Sequence, residues 1–84
     1  MNSNKLNLIN KIRYRSQYRG TKEMDIYVST FVDSIINDLD FDELEHLNKL
    51  VSLNDEQIID ISKGLLKFDI NKKILNLLNK FNNK

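Results

Sequence analysis

The chain has 84 residues with no cysteine, no proline and one histidine, and its 13 basic side chains nearly balance its 12 acidic ones. A chain of this length forms at most one domain with a small core, and we expect that domain to span residues 1–84. The missing cysteines exclude disulfides, zinc–thiolate sites, iron–sulfur clusters and thiol catalysis. No apolar run reaches the roughly 20 residues of a membrane span.

Apolar residues recur with helical spacing along the whole chain, and no segment alternates as a strand does. The pattern predicts an all-α fold, a small single-domain bundle of five short helices. The expected helices cover residues 3–18, a segment from 20 or 21 to 36, and residues 41–51, 55–63 and 70–81. The tail, about residues 82–84, is expected to fray.

Short polar residues mark the expected helix starts. Ser3 is a candidate N-cap of the first helix, and Asp40 with Glu43 three residues later predicts a capping box for the third. Asn54 and Asp69 are the expected N-caps of the fourth and fifth helices. Each of the two glycines should end a helix, because glycine tolerates the left-handed conformation that often follows one; these are Gly20 and Gly64.

The near-neutral total hides three charge blocks. Residues 1–22 carry six basic side chains and no acid, residues 23–60 carry eleven acids and one lysine, and residues 61–84 carry six lysines and one acid. All three arginines lie between positions 13 and 19. We therefore look for function where the first two blocks meet.

Residues that could support catalysis are sparse. Glu43 and His46 have the spacing of half a di-iron site, but a second copy is missing, so we interpret His46 as a solvated side chain. No serine lies in a nucleophile elbow, and two glycines are too few for a phosphate-binding loop. The sequence thus predicts no catalytic residue, no metal site and no enzymatic activity.

Two basic helices allow alternative functions. The first carries Tyr14 and Tyr18 between arginines, a combination suited to nucleic acid, although the acidic middle of the chain argues against it. The fifth is basic and amphipathic and could lie on an anionic membrane. We prefer to interpret it as the last helix of the bundle, because so small a core needs it.

The most informative stretch is the junction between the first two helices. Arg19 precedes Gly20, and Glu23 and Asp25 follow it, so opposite charges could pair across the turn. A purely structural explanation is also complete: Arg19 complements a helix C-terminus, Gly20 turns the chain and Glu23 caps the next helix. Arginine in a chain that otherwise uses lysine instead favours a planar contact to a partner's carboxylate or phosphate.

This stretch resembles the SdhE family, the FAD assembly factors of the succinate dehydrogenase flavoprotein. The family's string appears here as Tyr14-Arg15-Ser16, Arg19-Gly20-Thr21-Lys22-Glu23 and Asp25. The resemblance extends to Leu53-Asn54-Asp55 and Gly64. It departs in the fourth helix, where Glu56 and Ile61 stand in the places of the family's usual proline and tryptophan.

The resemblance implies a five-helix assembly factor that binds the flavoprotein subunit of succinate dehydrogenase, or of fumarate reductase, and promotes covalent FAD attachment to it. FAD would be the partner's cofactor, with none bound tightly by this chain and any direct contact to it unknown. The implied partner-binding residues are Arg15, Arg19, Gly20, Glu23 and Asp25. We expect a monomer in the bacterial cytoplasm, with the mitochondrial matrix as the alternative; the alternative function is nucleic-acid binding through the first helix.

Overall fold

Five α-helices and one 3₁₀ turn make up the part of the chain that a computed structural model describes, residues 3–67, 69 and 71–82. In chain order they are α1 (Ser3–Gln17), α2 (Lys22–Ile35), a 3₁₀ turn (Ile36–Asp38), α3 (Phe41–Val51), α4 (Asp55–Ser62) and α5 (Lys72–Asn82). These residues contain no strand. The prediction of an all-α fold with five helices is confirmed.

Side-chain caps fix the starts of the central helices. Asp40 and Glu43 form the predicted capping box, in which each side chain accepts a hydrogen bond from the other's backbone N–H. Asn54 and Gln57 form a second one at the start of α4. Thr21 caps α2 by accepting from the Met24 N–H at 3.2 Å. Each cap satisfies donors that the helix itself leaves open.

Of the two glycines, Gly64 ends a helix in the left-handed conformation as predicted, and Gly20 does not adopt that conformation. Gly64 has φ +75° and ends α4 with the double hydrogen bond of a Schellman motif: its N–H donates to Ile61 O and the Leu65 N–H donates to Asp60 O. Gly20 does not have a positive φ. The prediction of a left-handed Gly20 is therefore wrong.

The start of α5 also differs from the prediction. Asp69 does not cap it; the helix begins at Lys72, and the Asn71 side chain accepts from the Lys73 N–H at 2.7 Å. Both residues are good N-cap types, so the local sequence did not distinguish them. Ile70, expected within this helix, lies outside the described residues, and so do positions 83–84 of the expected frayed tail; Asn82 still belongs to α5.

Buried apolar side chains from every helix form one core. The third helix contributes most of one face, with Leu44, Leu47 and Leu50 at most 2% exposed, whereas α1 contributes only Ile12 as a fully buried apolar residue. The remaining core residues are Val28, Phe31, Val32, Ile35, Ile36, Leu39, Val51, Ile58, Ile61, Ile74 and Leu78. The broad apolar stripe of α2 is buried because α1 lies on one side of it and α5 on another.

Polar contacts hold the start of α5 on α3. The Asn71 N–H donates to Nδ1 of His46 at 3.2 Å, and Lys73 Nζ lies 3.1 Å from Glu43 Oε2. His46 is thus half-buried and joins two helices, which corrects the interpretation of a solvated side chain. None of the described helices is both long enough and apolar enough to cross a membrane.

Replacing Leu47 with alanine should remove most of the stability of the fold. Leu47 is fully buried, and leucine-to-alanine changes in cores cost about 2–5 kcal/mol, comparable to the whole stability of so small a domain. Urea unfolding followed by circular dichroism measures the loss. Leu65→Ala is the control, since Leu65 is 75% exposed and should change stability by less than about 0.5 kcal/mol. Equal losses in both variants would contradict the assigned core.

Candidate functional site

The side chain of Arg19 is directed into the protein at the end of α1. Its Nε donates to Asp55 Oδ1 at 2.8 Å, and Nη1 donates to Val51 O at 2.6 Å and to Arg15 O at 3.3 Å. Nη2 donates to Leu53 O. The side chain is only 8% exposed. Arg19 therefore joins the end of α1 to the connection between α3 and α4, and it does not form the ion pair with Glu23 or Asp25 that we considered.

Asp55, the first residue of α4, is the acid that neutralises Arg19. Its other oxygen, Oδ2, accepts from the Gly20 N–H at 2.9 Å, so one carboxylate spans two neighbouring residues of the corner. A Cβ atom placed on Gly20 would lie 2.9 Å from the same oxygen, closer than side chains normally approach. A larger residue at position 20 would therefore force the Asp55 carboxylate to shift.

The environment of Asp55 favours its charged form. Partial burial disfavours the carboxylate, but the hydrogen bonds from the Arg19 side chain and the Gly20 N–H, together with the arginine's charge, outweigh it and lower the pKa of Asp55 below its ordinary value. The ion pair is therefore intact at neutral pH.

Arg15 and Asp25 brace the same corner from its two sides. Arg15 Nη1 donates to Asn48 Oδ1 at 3.0 Å and to Ser52 Oγ at 2.5 Å, which ties α1 to the end of α3. Asp25 Oδ1 accepts from the Arg19 backbone N–H at 2.5 Å. This bond satisfies a donor just beyond the end of α1 and fixes the entry into α2.

Glu23 is the exception among the five predicted residues. It is exposed, and the described part of the chain provides no hydrogen bond or ion pair for its carboxylate. Thr21, and not Glu23, caps α2. Glu23 instead lies at the edge of a shallow depression that is lined by Ile26, Tyr27, Thr30 and Phe81. Its charge faces water beside an apolar surface, where Ile26 is 57% exposed.

The structure thus brings four of the predicted residues into one internal network and leaves the fifth at the surface. The sequence did not identify Asp55 as the partner of Arg19, nor the carbonyl groups of Val51 and Leu53. The available signal was the Leu53-Asn54-Asp55 string that we matched to the family without assigning it a role. Among the described residues, no group of three or more His, Asp or Glu side chains could hold a metal ion.

The chain is similar to a known protein family over most of its length. The model of the Sdh5 family, described as the flavinator of succinate dehydrogenase, matches residues 10–82. This chain belongs to that family. The match includes the whole corner and four complete helices, α2 to α5. No curated protein and no solved structure matched the chain.

Membership of the Sdh5 family confirms the resemblance and the implied role as a flavinator of succinate dehydrogenase. The flavinator is an assembly factor for the flavoprotein subunit of succinate dehydrogenase and promotes FAD attachment. The nucleic-acid alternative gains no support from the comparisons. The departure in the fourth helix is accommodated in the core, because Ile61, where the family often has an aromatic residue, is 1% exposed.

A pH titration should reveal the ion pair at the corner. Because the pKa of Asp55 is lowered in the folded state, its contribution to stability is complete above the ordinary carboxyl range near pH 4 and is lost as the pH falls through the folded value. The free energy of unfolding should therefore fall on acidification, and it should fall less steeply in Asp55→Asn. Asp38→Asn, at an exposed position, is the control and should parallel the unmodified protein. An identical acid dependence in all three would contradict the assignment.

The internal role of Gly20 can be tested by Gly20→Ala. The added Cβ crowds Asp55 Oδ2, and overpacking of this kind costs about 1–3 kcal/mol. The cost should largely disappear in an Asp55→Ala background, because the crowded carboxylate is then absent. A double-mutant cycle measured by urea unfolding checks this. Purely additive effects would show that Gly20 does not depend on Asp55.

Proposed function

We propose that this flavinator acts as a binding protein, not an enzyme, and that it contacts the flavoprotein subunit through the surface around Gly20. The observation that carries the proposal is the family match over residues 10–82, which contains the Arg-Gly-x-x-Glu corner. The contact surface is centred on Arg15, Arg19, Gly20, Glu23 and Asp25. A flavoprotein subunit of fumarate reductase is a further candidate partner, and the chain acts as a monomer in the bacterial cytoplasm.

The five residues have two kinds of role, since some shape the corner and others contact the partner. Arg19, Gly20 and Asp25 set the path of the backbone where α1 meets α2, since their polar groups are bonded to one another or to Asp55. The exposed Glu23 is then presented on the first turn of α2 at a fixed angle. Preorganised side chains bind more tightly because little conformational entropy is lost on association.

Glu23 supplies a charged acceptor for a basic or N–H donor of the flavoprotein subunit. An exposed carboxylate next to apolar side chains loses its water when a partner covers them, so a well-placed donor is strongly preferred there. Ile26 and Tyr27 provide apolar surface beside it. The combination of one carboxylate and an apolar rim gives this part of the surface its specificity.

In this proposal the flavoprotein subunit, and not this chain, binds FAD. Dinucleotide-binding proteins typically hold the phosphates on a glycine-rich loop at a helix N-terminus. The chain has two glycines, and the guanidinium of Arg19 is already bonded to Asp55 and to three backbone carbonyl groups. The chain's contribution is therefore to hold the flavoprotein subunit in an arrangement that favours the linkage.

Glu23→Ala should reduce covalent flavin without unfolding the chain. The flavoprotein subunit of succinate dehydrogenase is co-expressed with each variant, and flavin fluorescence is scored in a denaturing gel. A lost hydrogen bond to a charged group corresponds to a roughly tenfold weaker complex or more. Glu56→Ala is the matched control, because Glu56 is also exposed and is also the second residue of its helix. Unchanged flavin in Glu23→Ala, or no complex with the unmodified chain, would overturn the proposal.

A further inference from the structure

Two exposed tyrosine rings lie side by side at the end of α1, Tyr14 within the helix and Tyr18 directly after its last residue. Tyr14 is 65% exposed and Tyr18 is 69% exposed, and their ring centroids are 4.8 Å apart with the planes inclined at 46°. The two residues are four positions apart, and this spacing at the end of the helix brings the rings together. Large aromatic side chains exposed as a pair are typical of the centres of protein interfaces.

The rings form the rim of a shallow groove, which we call the tyrosine groove. Its lining residues are Tyr14, Arg15, Tyr18, Arg19, Val51 and Ser52, and its volume is about 300 Å³. The groove lies where α1 meets the end of α3, so its walls come from two helices. Arg15 and Arg19 fix those walls through their hydrogen bonds to Ser52 and Val51. The groove is thus held in shape by hydrogen bonds within the fold.

The charge of Arg15 is not neutralised within the described structure. Its guanidinium donates to Asn48 and Ser52, both of which are neutral acceptors. The other two arginines have acids: Arg19 pairs with Asp55 at 2.8 Å, and Arg13 Nε lies 3.9 Å from Asp33 Oδ1. The tyrosine groove therefore contains one positive charge, beside the two aromatic rings, that lacks an acidic partner among the described residues.

We propose that the tyrosine groove binds an acidic side chain, aspartate or glutamate, on a segment of the flavoprotein subunit. The proposal rests on the proposed function and names a second contact within it. Arginine binds a carboxylate through paired N–H donors, and the two rings exclude water from that contact and pack on the neighbouring apolar atoms of the segment. Glu23 and Arg15 would then present opposite charges to the same partner.

A nucleic acid is the other occupant that tyrosines and arginine could accept. Binding to a phosphate backbone uses several uncompensated cations. Two arginines line the groove, and Arg19 is already paired with Asp55 at 2.8 Å, which leaves Arg15 as the one guanidinium of the groove without an acid among the described residues. One charge beside two rings fits a carboxylate better than a polyanion, and the family match also points to a protein partner.

The double variant Tyr14→Ala/Tyr18→Ala tests the proposal, with binding to the purified flavoprotein subunit of succinate dehydrogenase measured by titration calorimetry. Both rings are exposed, so the helical signal and the unfolding midpoint should change little. Loss of two aromatic contacts at an interface centre should weaken binding by roughly tenfold or more. Leu6→Ala is the control, because Leu6 is an exposed apolar residue on the same helix, 45% exposed and outside the groove.

A photo-crosslinking amino acid in place of Tyr18 identifies the occupant directly. Mass spectrometry of the cross-linked flavoprotein subunit should find a segment with an aspartate or glutamate next to the attachment point. The same group in place of Leu65 should not label that segment, because Leu65 lies in the connection between α4 and α5 and not in the groove.

The outcomes separate the two proposals. If the unmodified chain forms no complex, the proposed function and this inference both fail. If the complex forms and the double tyrosine variant binds as well as the unmodified chain, only the inference fails. Cross-links confined to a segment without acidic residues also overturn the inference. So does tight binding of single-stranded DNA by the unmodified chain that the double variant loses.

Discussion

The ion pair between Arg19 and Asp55 is the interaction on which the corner and much of the fold depend. It connects residues 36 positions apart and joins the end of α1 to the start of α4. The guanidinium is nearly buried, so it needs acceptors on all of its edges, and the carboxylate and the Arg15, Val51 and Leu53 carbonyls provide them. Removing the carboxylate would leave a buried cation unpaired, at a cost of about 3 kcal/mol, a large share of the stability of a domain this small.

The same ion pair changes how the Arg-Gly-x-x-Glu motif is understood. A short motif at a surface corner suggests direct contact with a partner, yet the first two of its fixed residues are committed within the chain. Arg19 holds Asp55, and Gly20 leaves room for it. Of the motif's fixed residues, Glu23 alone has a side chain with no hydrogen bond or ion pair to the described residues. A substitution at the first two positions would therefore affect partner binding by altering the shape of the corner.

The sequence correctly predicted features that depend on residues close together in the chain. Apolar spacing identified the five helices, and the side chains of Asp40 and Asn54 marked two starts correctly, because a cap acts on N–H groups only a few residues away. The sequence did not predict the contacts between segments that are distant along the chain. Neither Asp55 as the partner of Arg19 nor the contact between His46 and the start of α5 leaves a local pattern. Gly20 was assigned the common reason for a glycine, a left-handed turn, when the actual reason was a carboxylate from another helix.

The three charge blocks of the sequence contain charges that form ion pairs within the fold and charges that do not. The basic first block meets the acidic middle through Arg13 with Asp33 and Arg19 with Asp55, and the basic last block meets it through Lys73 with Glu43. Opposite blocks thus meet where helices pack, and the closest and most shielded of these pairs is Arg19 with Asp55. Around the corner, the side chain of Arg15 is bonded only to neutral acceptors, and the side chain of Glu23 is bonded to none of the described residues. A partner that carries one acid and one base at matching positions would pair with both Arg15 and Glu23. A partner surface of uniform sign would attract one of these side chains and repel the other.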